Sequence, residues 1–124
     1  MYAFAIRNDT IATPVVRNIV LTGCQWVHAQ ELENDTPIRG GGTVGGAVEP
    51  AGENAEYEVT MDVHYYIIGH GGQGDVSLRL GIADLEGTAS PFAGSTDPDG
   101  LTTDAAINDE GGGNASVLFT ISEG

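Results

Sequence analysis

Glu56–Ile68, EYEVTMDVHYYII, is the stretch that decides the fold. Tyr57, Val59, Met61, Val63, Tyr65 and Ile67 take every second position, with Glu58, Thr60, Asp62 and His64 between them. Period two is the mark of a β-strand with one face buried and the other wet. Wound as a helix, the same apolar residues would scatter around every side. At Tyr66 and Ile68 the second face turns apolar too, so this end of the strand is expected to be covered on both sides. The natural place for such a strand is the centre of a sheet in a β-sandwich.

Its partner follows the glycine-rich run Gly69-His70-Gly71-Gly72-Gln73-Gly74. Val76, Leu78, Leu80 and Ile82 alternate with Ser77, Arg79, Gly81 and Ala83, and two such runs on either side of a short glycine loop read as an antiparallel hairpin. Downstream, Asp84–Asn114 shows no strong periodicity and reads as a long irregular loop or arm, with a turn or two of helix over Leu101–Ile107. Ala115–Ser122 is a closing strand with Val117, Phe119 and Ile121 on one face. Upstream, Tyr2, Phe4 and Ile6 alternate as a first strand. Val15–Thr22 reads as a strand covered on both faces, and Cys24–Leu32 as either a further strand or a short helix. Glu33–Gly42 is loop, and Thr43–Val48 is at most a short edge strand broken by Gly45-Gly46. Residues 1–124 thus read as a single all-β domain, an antiparallel β-sandwich or jelly roll with a long loop and little helix.

Charge is the most distinctive property of the chain. It has 18 acidic residues against four arginines (Arg7, Arg17, Arg39, Arg79) and no lysine, for a net charge of −14. A small domain ordinarily carries a net charge of roughly 2–8 in magnitude. Such an excess repels itself in dilute salt and becomes tolerable when salt screens it, the Debye length falling to about 3 Å at roughly 1 M. In composition the chain resembles proteins of haloarchaea and their viruses, and that resemblance implies a high-salt habitat. With no basic patch to displace counterions, nucleic acid is not an expected partner. The single cysteine, Cys24, rules out an internal disulfide. MYAFAIRNDT lacks the charged start and apolar run of a secretory signal, and no apolar run approaches the ~18–20 residues of a membrane span. The expectation is a chain made in the host cytoplasm, which stays there or leaves inside a virion.

Candidate chemistry is sparse. Asp97, Asp99 and Asp104, around Pro98 and Gly100, are the candidates for a calcium site, because hard cations take carboxylate oxygens. Aligned on the glycine of an EF-hand loop, they leave Ser95 and Ala106 where the first and last carboxylate ligands belong. A Pro-Asp-Gly turn explains the run as well. His28, His64, His70 and Cys24 lack zinc-ligand spacing. Cys24 with His28 would form a nucleophile pair only on a helix, and a buried thiol is the simpler role. The 69–74 run lies between strands and lacks the lysine of a phosphate-binding loop. No cofactor is expected, and the chain does not read as an enzyme. Trp26, Tyr57, Tyr65, Tyr66 and Phe92 offer either core packing or a stacking surface for a sugar. Phe92, beside Pro91 in a polar stretch, either plugs the core or anchors a contact.

Two functions from different classes follow. The first is a structural or assembly protein, a virion component of a halophilic virus (capsid decoration, turret or minor capsid protein), in contact with copies of itself and other structural subunits. Leu85, Phe92, Leu101 and Ile107, wasteful in a solvated loop, are its expected interface. The alternative is a ligand-binding β-sandwich, lectin-like or membrane-surface-binding.

Overall fold

The computed structural model describes residues 1–68 and 72–124, with the backbone alone for residues 67 and 68. Nine strands and no helix are found among the described residues: β1 (Tyr2–Asp9), β2 (Val15–Thr22), β3 (Cys24–Trp26), β4 (Thr43–Pro50), β5 (Tyr57–Ile68), β6 (Gly72–Leu85), β7 (Thr88–Thr96), β8 (Leu101–Gly111) and β9 (Asn114–Glu123). They form a five-stranded sheet ordered β3-β4-β1-β9-β8 and a four-stranded sheet ordered β2-β5-β6-β7. Neighbours run antiparallel except β1 and β9, which pair in parallel.

The inner faces of the two sheets make one core. Tyr57, Val59, Met61, Val63 and Tyr65 of β5 point into it, opposite Val76, Leu78, Leu80 and Ile82 of β6 and packed with Phe119 and Ile121 of β9. The hairpin and its facing are as the alternation predicts, and β5 is an interior strand. Burial pushes the hydroxyls of Tyr2, Tyr57 and Tyr65 up to about 12, because a phenolate there would lose its water. A polar hub closes one end of this core. Asn8 is fully buried; its amide donates to the Ala12 and Ile38 carbonyls, and its oxygen accepts from Thr10 N, Thr10 Oγ1 and Tyr65 OH.

Asp84–Asn114 is not a loop or arm: it holds the end of β6, all of β7 and β8, and two tight turns. At the β6–β7 turn Glu86 and Gly87 both have positive φ, and at the β8–β9 turn Gly112 and Gly113 do, the handedness that a two-residue hairpin requires. β7 is hard to read because its inward residues are small, and β8 because Thr103 and Ala105 separate its inward Leu101 and Ile107. Ala89 and Ala93 of β7 and Ala105 of β8 lie against the core where these two edge strands approach one another. Leu101–Ile107 is extended, not helical.

Val15–Thr22 is not covered on both faces. Asn18 has positive φ, and the pairing with β5 slips between Arg17 and Val20. The bulge changes the phase, so Val16 points inward before it and Ile19 and Leu21 after it, while Val20 is exposed. Tyr66 is 47% exposed, so the end of β5 is not enclosed on both sides as expected. Thr43–Val48 lies in an interior strand, between β3 and β1. A Cβ at Gly45 would stand 2.2 Å from the Phe4 carbonyl oxygen, so glycine there lets the strands close up. Of Cys24–Leu32, only Cys24–Trp26 is strand.

Candidate functional site

The outward face of the β2-β5-β6-β7 sheet carries the richest grouping of polar and aromatic side chains. Alternation puts Glu58, Asp62, His64 and Tyr66 of β5 on this face, with Ser77 and Arg79 of β6 and Phe92 and Thr96 of β7. Phe92 faces Gly81 across the β6–β7 pair, and the ring lies where a side chain at 81 would be: a Cβ there would come within 2.9 Å of Phe92 Cζ. An aromatic ring laid over a cross-strand glycine shields bare backbone that would otherwise be wet. The Arg79 guanidinium lies 5.2 Å from the centre of that ring, and its Nε donates to Glu58 Oε1. Glu58, Arg79 and Phe92 therefore form a ridge across three strands.

Two grooves flank the ridge. One, of about 300 Å³, is walled by Arg79, Phe92, Ser77, Ser95 and Thr96, with Gly94 directly opposite Arg79. The other, of about 410 Å³, meets the ridge from the far side and presents Thr22, Asn54, Glu56 and Glu58. Further along the face, His64 Nδ1 lies 2.8 Å from Asp75 Oδ1, and the His64 and Tyr66 rings meet edge to face at 4.7 Å. Arg17 hydrogen-bonds to the Tyr66 hydroxyl and lies 3.9 Å from Asp35. Exposed pairs of this kind are worth about 0–1 kcal/mol each, so they orient the face more than they stabilise the fold.

The residues singled out in the sequence do not converge. Asp97 accepts from Thr103 through both oxygens, Oδ1 from the hydroxyl at 2.7 Å and Oδ2 from the amide at 3.1 Å, and so ties the β7–β8 turn. Asp104 lies on β8, paired with Thr120, and no group of three His, Cys, Asp or Glu able to hold a metal ion is found among the described residues. Cys24 is buried, its Sγ 3.7 Å from the Glu58 carbonyl oxygen, and burial pushes its thiol up. His28 is exposed beyond β3, and His70 lies outside the described residues.

The four expected interface residues also part company. Leu101 is 6% exposed and belongs to the protein's own core, so it is withdrawn from the interface. Phe92 neither plugs the core nor stands free, because Arg79 and Gly81 hold it on the outer face. Leu85 at 62% and Ile107 at 42% are the two that stay exposed. The ridge itself went unseen in the sequence. Its one signal was a scarce cation, Arg79, on the wet face of a hairpin.

Described helices long and apolar enough to cross a membrane are absent. No protein-family model matches this sequence, and no curated protein does either.

Proposed function

We propose that this chain is a non-enzymatic structural protein that assembles with copies of itself and other subunits in high salt, as a virion component of a halophilic virus. A capsid decoration, turret or minor capsid protein fits this role. The observation that carries the reading is the free edge of β8. A sandwich of two open sheets has four edges, and three of them are blunted. β3 is only three residues long. β2 is flanked by the segment 35–38, whose backbone exchanges hydrogen bonds with Pro14 and Val16. β7 contains Pro91, and the Tyr2 hydroxyl donates to its Phe92 carbonyl. β8 runs for eleven residues with β9 as its sheet partner on one side and, among the described residues, no hydrogen-bonded strand on the other. Ile107 points the same way as the buried Val117 across the pair, yet remains exposed.

An unprotected edge of this length is a template for another strand. A second copy of β8, running antiparallel about a twofold axis at Ala106, sets Ile107 opposite Ala105, Asp104 opposite Asn108 and Asp109 opposite Thr103. No carboxylate then faces a carboxylate across the seam. Two bodies of charge −14 still repel, so the pairing forms only when salt screens them. Light scattering should find monomers at about 0.1 M NaCl and dimers or larger closed assemblies above roughly 1 M. Ile107→Asp should keep the high-salt protein monomeric. A wild type that stays monomeric in high salt, or an oligomer indifferent to Ile107→Asp, refutes the edge-pairing account. Portal, protease or tail genes beside its own would extend the reading from oligomer to virion.

A further inference from the structure

We infer that the ridge Glu58–Arg79–Phe92 and its two grooves bind a neutral oligosaccharide of at least two rings, one ring seated on each side of the ridge. This goes beyond the assembly role and uses the opposite sheet. Phe92 lines both grooves; the Arg79 guanidinium lies over its ring, and the part that Arg79 leaves uncovered gives the C–H groups of a sugar an apolar surface. Arg79 commits Nε to Glu58, which leaves its terminal N–H groups as donors and the second Glu58 oxygen as an acceptor. The ion pair holds both groups in place before a ligand arrives, and that lowers the ordering cost of binding.

Sugar hydroxyls donate and accept at once, and the ridge provides for both within one ion pair. The groove at Gly94 adds the Thr96 hydroxyl and the Ser77 oxygen, whose own proton goes to Asp62, and the groove at Asn54 adds an amide and carboxylates. Charge decides between ligand classes. A phosphate, sulfate or carboxylate reaching Arg79 would meet Glu58 beside it, with Glu56 in the adjoining groove and a net charge of −14 behind them. A neutral glycan meets no such repulsion. The volumes of about 300 and 410 Å³ are each of the size that holds a small ligand.

Gly94 supplies the test. It lies in a strand, and a Cβ added there meets no atom within 4 Å, so a larger side chain fills the groove without disturbing the fold. The protein is screened above roughly 1 M NaCl on an array of neutral, sialylated and sulfated glycans, and the best neutral glycan is then titrated by calorimetry. Gly94→Val and Phe92→Ala are each expected to weaken that binding at least about tenfold, with the melting temperature of Gly94→Val unchanged. Ile107→Asp is expected to bind like the wild type, so failure of the assembly reading is seen separately. The inference is overturned if no neutral glycan binds, if only sialylated or sulfated glycans bind, or if neutral binding survives Gly94→Val.

Discussion

Asn8→Ala is expected to cost more than about 4 kcal/mol, a loss of the size reserved for broken buried networks. The asparagine is fully buried, and its side chain serves five partners: the Ala12 and Ile38 carbonyls, the Thr10 amide and hydroxyl, and the Tyr65 hydroxyl. Alanine removes the centre of the network and leaves those groups facing one another without water. Each stranded buried group costs roughly 1–3 kcal/mol, and folded domains hold only about 5–15 in reserve. Asn8→Asp is expected to rescue little near neutral pH, since a carboxylate would face two carbonyl oxygens it cannot donate to. The urea midpoint at fixed salt measures both variants. A shift in stability below about 1 kcal/mol for alanine would mean that water replaces the side chain and that the hub is not structural.

The second large effect separates the faces of β5. Val63 is fully buried between its cross-strand neighbours Val16 and Val76, so Val63→Asp should cost at least about 4 kcal/mol and leave much of the population unfolded. Asp62 lies on the outer face, where its oxygens accept from Asn18 Nδ2 and Ser77 Oγ, both at 2.9 Å. Asp62→Val gives up those two surface bonds and should cost no more than about 2 kcal/mol, with aggregation as the more visible result. Denaturant melts of the two variants in parallel decide the matter. The reverse order would put the pleat one residue out of register.

How much of this was legible depended on where each strand lies. The β5–β6 hairpin was readable because its residues alternate cleanly between a thick core and water. β1 and β9 were readable for the same reason, with Phe4 and Ile6 on one and Val117, Phe119 and Ile121 on the other. β7 and β8 were not, because edge strands bury little: alanines replace large residues, and Pro91, a strand breaker elsewhere, is tolerated at an edge. The turn at Glu86-Gly87 was written in the sequence, but glutamate at a positive-φ position hides the pattern that asparagine would display. The register slip at Asn18 disguised an ordinary one-sided strand as an apolar run. The ridge was out of reach for a different reason. Glu58, Arg79 and Phe92 lie on three strands and meet only through the pairings of Glu58 with Gly81 and Gly81 with Phe92.

The proposed high-salt habitat rests on the charge of the chain. Among the described residues the arginine ion pairs match Arg7 with Asp9, Arg17 with Asp35 and Arg79 with Glu58, and His64 stands against Asp75, so most of the 18 carboxylates are matched with no cation there. Their mutual repulsion opposes compaction until mobile ions screen it. The most direct measurement is the melting temperature of the wild type as NaCl rises from about 0.1 M to above 1 M, with sucrose of equal osmolality as the uncharged control. The melting temperature is expected to rise in NaCl well beyond its rise in sucrose. A melting temperature that is flat or falling in NaCl, or that rises equally in sucrose, would contradict the proposed habitat.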